Sequence, residues 1–303
     1  MVKTASIARH IAQDDAALAA ELDSSLDTLW VSMQPLSGRP LNFSPDLLTA
    51  FERLLDRIEE NRWHWREESV ESRLRYLVLT SAHPRYFALG GDLAYFQSCI
   101  ESGNAGALRA YSLRCLDLVQ RIFVAAAEVT TISLVQGRAL GGGFEAALSA
   151  SHLIAERGAE FGFPEISFGT FPCTGGLSLL AKRIGLRRAA AFVRNPRIHS
   201  AEDLHALGVV DELCEPGEGP AAVLRFVAEH RRRYKARMAL QRAEARMGAL
   251  DLDELRTVVE DWVDTAMSLS AAELRVLDTL VRMQAADAGA AAVTPPTFRM
   301  RSA

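Results

Sequence analysis

Two glutamates carry the first chemical signal in this sequence. Glu145 follows three glycines and a phenylalanine in "ALGGGFEAALSA", and Glu165 follows Phe163-Pro164 in "FGFPEISFG". Apolar surroundings disfavour an ionised carboxylate, and two such groups close together tend to share one proton, the arrangement required of an acid/base pair. Two glycine turns accompany them, Leu89-Gly90-Gly91-Asp92 and Leu140-Gly141-Gly142-Gly143, each read as the junction between a strand and a helix. At such junctions the first helical N–H groups lack partners and glycine lets another atom approach closely. Two converging N–H groups would form an oxyanion hole able to hold an enolate or a tetrahedral oxyanion.

Each feature also has a plainer use. A first-turn Glu145 complements a helix dipole, Glu165 suits a loop, and glycine-rich turns occur for steric reasons alone. Neither turn gives GxGxxG or the Walker pattern, so nucleotide binding is not indicated. Asp92 reads as a helix N-cap, and His83 and His152, the histidines closest in sequence to the turns, read as part-buried imidazoles.

The elements that must position these groups alternate. "LDTLWVSMQ" (26–34), "LRYLVLTSA" (74–82), "TTISLVQG" (130–137) and "HLIAER" (152–157) read as strands, with a further strand-like "GVVDEL" at 208–213. "SPDLLTAFERLLDRIEEN" (44–61) reads as a helix opened by a Ser cap with Pro at its first position, and "GGFEAALSA" as a short helix. A helix from Asp92 breaks near Gly103 to Gly106 and resumes through "ALRAYSLRCLDLVQRIFVAAAE". The expected architecture is an α/β core over residues 1–217, with parallel strand neighbours, and a helical region with a mobile or neighbour-packed tail over residues 218–303.

Composition narrows the function classes. With 49% hydrophobic and 24% charged residues the 303-residue chain can bury a large core. A net charge of −4 gives no general attraction to nucleic acid or anionic membrane. Cys99, Cys115, Cys173 and Cys214 form no CxxC pair and show no metal-ligand spacing, so neither a metal site nor a disulfide framework is expected. The first 25 residues have no secretory-type apolar run and no later stretch reaches the roughly 18 apolar residues of a membrane span. A cytoplasmic protein is expected.

The ordered set of GGD turn, GGGFE turn and, twenty residues on, the PE pair resembles the crotonase, or enoyl-CoA hydratase, superfamily. The resemblance runs over about residues 26–284. It implies a crotonase-like ββα spiral core, an oxyanion hole at Gly91 and Gly142, and an acid/base pair at Glu145 and Glu165. It also implies an acyl thioester substrate with no metal or redox cofactor, and a trimer or dimer of trimers.

A narrower likeness lies in "FALGGDLAYF", "FPEISFGTFP", "WVDTAMSL" and "LDTLVRMQ", which resemble the bacterial diffusible signal factor synthases. That likeness implies dehydration of a 3-hydroxyacyl thioester on acyl carrier protein to a cis-2-enoyl thioester, then hydrolysis to the free fatty acid. It implies an acyl pocket lined by Trp262 and Leu280, and docking of a sensor-kinase receiver domain. The chain departs from that branch at Thr174, a pocket position where a larger apolar residue such as Met is expected. Two alternatives stand beside this reading, an enoyl-CoA hydratase or isomerase acting on an acyl-CoA and a non-catalytic interaction protein on the same scaffold.

Overall fold

The computed structural model describes residues 16–67 and 70–289. Along the chain, β1 (Leu18–Asp23) and β2 (Thr28–Met33) form an antiparallel hairpin with Leu18 opposite Met33 and Asp23 opposite Thr28. Asp23 closes its turn by accepting from the N–H groups of Ser25 and Leu26 at 3.0 and 3.2 Å. Sequence reading missed β1 because "LAAELD" is alanine-rich and weak as a strand former; pairing with β2 overrides that preference. Helix α1 (Pro45–Glu60) begins at a Ser44 cap whose hydroxyl accepts from Leu47 N, and buries its apolar stripe on the core.

Three ββα turns follow a short β3 (His64–Glu67) and β4 (Val70–Arg73) hairpin. The first is β5 (Tyr76–Ser81), β6 (Tyr86–Ala88), then α2 (Leu93–Glu101) and α3 (Ala105–Ala125). The second is β7 (Thr130–Val135), β8 (Arg138–Leu140) and α4 (Gly142–Ser149). The third is β9 (His152–Glu156), β10 (Glu160–Gly162), a 3₁₀ turn (Glu165–Phe168), α5 (Gly176–Ile184) and α6 (Leu186–Val193). Next come β11 (His199–Ser200), α7 (Ala201–Ala206) and β12 (Glu212–Cys214).

The first strand of each pair joins a six-stranded sheet ordered β1-β2-β5-β7-β9-β12, parallel from β2 onward; the second joins a four-stranded sheet ordered β11-β10-β8-β6. This is the spiral that the family resemblance implies. Strands β5 and β7 are buried at every residue because both faces of the sheet are covered. The strand expected at 208–213 lies instead at β12: Val209 and Val210 plug the core from a turn, and only Glu212–Cys214 pair with β9. Strands β6, β8, β10 and β11, at two or three residues, are too short to show periodicity.

Helices α8 (Gly219–Arg231), α9 (Tyr234–Met247), α10 (Leu252–Met267) and α11 (Ala271–Gly289) complete the described chain. Helix α10 is tied to α3 by Arg109, which donates to both Glu260 oxygens at 2.8 and 2.7 Å. Helix α11 reaches the first glycine turn, where Gln284 Nε2 donates to Leu89 O at 3.1 Å. The alanine-rich tail continues α11 as far as Gly289, and residues 290–303 lie outside the described residues. No described helix is long and apolar enough to cross a membrane.

One buried hydroxyl ties three of these elements together. Tyr111 of α3 donates to Phe43 O at 2.6 Å and accepts from Asp92 N at 3.0 Å, while Phe43 N donates to Gly90 O at 2.8 Å. Removing it leaves a buried carbonyl and amide without that partner. Tyr111→Phe is therefore expected to cost about 1–3 kcal/mol in urea unfolding; a loss below about 0.5 kcal/mol would show the tether to be idle.

Candidate active site

The two glycine turns abut. A Cβ on Gly90 would stand 2.8 Å from Leu140 O and 3.2 Å from Gly142 N, and the backbone there has φ +88°, so glycine is required on two counts. Gly91 bridges Phe43 in parallel fashion, and neither its N–H nor that of Gly142, the first residue of α4, donates to any described residue. Both residues line the cavity that the glutamates also line. Asp92 caps α2, accepting from Tyr95 N at 3.1 Å.

Glu145, in the first turn of α4, is 2% exposed. Its Oε1 accepts from Thr174 N at 2.9 Å and from Gly176 N at 2.8 Å; its Oε2 accepts from the Thr174 hydroxyl. Gly176 begins α5, so the carboxylate also receives the positive end of that helix. Burial pushes the Glu145 pKa up while these three donors oppose the shift. One acceptor site on Oε2 stays free for a water or a substrate hydroxyl.

Glu165 has a different environment. It opens the 3₁₀ turn, and its Oε1 lies 2.5 Å from where a Gly141 Cβ would be, at a residue with φ +52°. The residue as a whole is only half-buried, yet its Oε2 is enclosed and lacks a hydrogen-bond partner among the described residues. Burial first, and then the charge of Glu145, push its pKa up to about 8. Burial thus favours a proton on Glu165 near neutral pH, while Glu145, the carboxyl that donors from other residues reach, is the better placed of the two to carry charge.

The cavity, about 180 Å³, extends away from the glutamates between α2, α3, α10 and α11. Trp262, 3% exposed, meets Phe96 edge to face with centroids 5.1 Å apart. Leu280 is half-buried on the wall and Met283, 60% exposed, stands at its outer part. Thr174 also lines the cavity, and both its donors are committed to Glu145. Two thiols, Cys115 and Cys173, line the wall, their pKa values raised by burial.

Sequence reading missed Tyr111, Gly141 and Gly176 as site residues. Only Gly175-Gly176 before the apolar "LSLL" carried a signal, that of a helix start. His83 and His152 stay outside the cavity. His83 Nδ1 accepts from Arg85 N and Tyr86 N at 3.1 and 3.2 Å, and His152 stacks on Phe226 at 4.0 Å. Among the described residues no group of three or more His, Cys, Asp or Glu side chains is placed to hold a metal.

The raised Glu165 pKa has a stability consequence. Because it lies above the ordinary value of 4.5, the folded state binds the extra proton between that pH and about 8. The associated stability is complete below pH 4.5 and is lost as pH rises through about 8. The melting temperature of the wild type is expected to fall between pH 5.5 and 8.5 by about 2 °C or more beyond that of Glu165→Gln. Parallel curves would show that Glu165 is ionised in the folded protein at neutral pH.

Residues 66–248 match the enoyl-CoA hydratase/isomerase family. The chain is 27% identical over 188 residues to a crotonyl-CoA hydratase of Syntrophomonas wolfei, covering 61% of this chain and 69% of that one. It is 30% identical over 165 residues to a short-chain-enoyl-CoA hydratase of Clostridium acetobutylicum, covering 54% and 60%. It thus spans less than two thirds of the second of these relatives. In three dimensions it is similar to an enoyl-CoA hydratase from Bacillus halodurans, with TM-score 0.70, 21% identity and coverage of 87% of this chain and 99% of that one. A spiral of ββα turns that brings two glycine turns and two glutamates to one cavity, matched over most of its length by that family, makes this chain a member of the enoyl-CoA hydratase/isomerase family.

Proposed function

We propose that the chain adds or removes water across the 2,3-bond of an acyl thioester. The observation that carries this reading is the pairing of one carboxyl held by three donors with one that no other residue's donor reaches, beside two unpaired backbone N–H groups. The N–H groups of Gly91 and Gly142 hold the thioester oxygen as it gains charge in the enolate. From the resting proton distribution Glu145 accepts a proton while Glu165 delivers one, to or from the α-carbon and the β-oxygen. The reverse reaction starts from the form with the proton exchanged, so one pair serves both directions.

At a finer level, the likeness to diffusible signal factor synthases supports a 3-hydroxyacyl group on acyl carrier protein as substrate and a cis-2-enoyl thioester as the dehydration product. A water that gives a proton to a glutamate then attacks the thioester carbonyl over the same N–H groups; the C–S bond breaks, the carrier thiolate leaves and takes up that proton, and the free cis-2-unsaturated acid is released. The apolar wall of Trp262, Phe96 and Leu280 suits a fatty acyl chain. The same resemblance extends the proposal to a trimer or dimer of trimers, a sensor-kinase receiver domain as partner and a cytoplasmic setting. The two curated relatives, named as hydratases of CoA thioesters, favour the coarser alternative of an acyl-CoA substrate without hydrolysis. Mass spectrometry of products from 3-hydroxyacyl carrier protein and from 2-enoyl-CoA separates them: free acid from the first supports hydrolysis, and hydration of the second alone removes it.

Glu145→Gln and Glu165→Gln are each expected to lose about 10²-fold or more in turnover, and the double variant to be scarcely worse than the poorer single one, since the two act in one proton circuit. Near-wild-type turnover of either single variant would end the paired-carboxylate mechanism. Thr174→Val removes a donor to the ionised Glu145, so its pKa rises and the acidic limb of kcat/KM should move to higher pH; Thr174→Ser should restore it. An unmoved limb in Thr174→Val would show that the hydroxyl does not tune the base.

A further inference from the structure

A second concave site lies where the strands of the large sheet begin, at the opposite end of β5 and β7 from the strand pairs that lead into the glycine turns. It is a cleft of about 730 Å³ between the β3–β4 hairpin, the start of β5 and the corner joining α8 to α9. Arg73 and Arg75 line it from the strand side, Arg231 to Arg233 and Lys235 from the helical corner, and Arg242 from two turns along α9. Glu128 is the only carboxylate in the lining. A net −4 chain therefore gathers seven cations and one anion around one hollow.

The fold accounts for only part of this. Arg75 pairs with Asp27 at 3.1 Å and stacks on the Tyr234 ring at 4.9 Å, and Arg231 donates to Ser25 O at 2.8 Å and lies 4.0 Å from Asp27. Arg231 and Arg232 also end α8, where positive charge is favoured. Arg73, Arg232, Arg233, Lys235 and Arg242 have no ion-pair partner among the described residues. Moreover Arg233 and Lys235 stand at the N-terminus of α9, which has no acidic residue in its first turn and no side-chain cap. Cations there oppose the helix dipole as well as one another. Solvent alone screens such a cluster when it is spread over a convex face; in a hollow the charges converge on a common volume.

We infer that this cleft binds an anion carrying two or more phosphate groups. Guanidinium forks match phosphate oxygens two at a time, and guanidinium groups arriving from three elements suit several phosphates better than one small carboxylate. Inorganic pyrophosphate and a nucleoside diphosphate share that chemistry. The site is separate from the glutamate cavity, since the two have no lining residue in common.

Calorimetric titration of the full chain in 0.15 M salt with pyrophosphate, and separately with ADP, tests the inference. Binding of at least one is expected with Kd on the order of 0.1 mM or tighter. Tighter binding of ADP by about tenfold assigns a nucleotide, and equal or weaker binding assigns the phosphates alone. The Arg233→Gln/Arg242→Gln double variant, folded by its melting curve, should bind about tenfold more weakly or worse, whereas Arg187→Gln/Arg188→Gln, exposed on α6, should bind as wild type. No heat from either anion up to millimolar concentration overturns the inference. So does equal weakening by both double variants, or a thermal stabilisation by pyrophosphate that sodium chloride reproduces at equal ionic strength.

Discussion

A carboxylate that is 2% exposed must be matched by donors, and the structure around Glu145 is organised by that requirement. The donors come from one place, the residues leading into α5: Thr174 N, the Thr174 hydroxyl and Gly176 N. The first turn of α4 and the start of α5 are thereby locked together, and with them the two strands, β8 and β10, that feed these helices in parallel. Loss of the match would leave an unpaired buried charge, whose cost exceeds that of a typical surface ion pair several-fold.

Contrast within the pair makes it chemically useful. Glu165 lies across from Glu145 but gains no donor from any other described residue, so burial and its neighbour's charge raise its pKa where hydrogen bonds restrain that of Glu145. Two identical side chains are pushed apart in proton affinity by their surroundings, one toward accepting and the other toward giving. Gly141 is part of the same arrangement, because any Cβ there would displace the Glu165 carboxyl.

The repeating ββα unit explains why the N–H groups converge. Each repeat adds one strand to each sheet in parallel, so equivalent turns of successive repeats stand side by side at the C-terminal ends of the small sheet's strands. Gly90 and Gly142 are in near contact for that reason, although they are 52 positions apart in the chain. The C-terminal helices then supply what the spiral lacks, an apolar wall. Trp262 packs on Phe96 of the first repeat, and α10 is pinned beside it by Arg109 and Glu260.

Much of this was legible in local pattern. The capped helix at Ser44, the β-branched and aliphatic runs of β5 and β7, the helix break at Gly103 and the two strand-to-helix glycine turns all rest on interactions among residues close in the chain, which spacing reports. Glu145 and Glu165 stood out for the same reason, as carboxylates beside apolar residues and turn formers. Strand β1 was not legible because its alanine-rich sequence is a weak strand former that only pairing with β2 makes extended, and the displaced β12 and the two- and three-residue strands of the small sheet were not, because their partners lie far along the chain. Neither was the division of labour between the glutamates. Proton affinity depends on which donors reach each carboxyl, and those at Glu145 arrive from Thr174 and Gly176, 29 and 31 positions away, only when the chain has closed its third spiral turn.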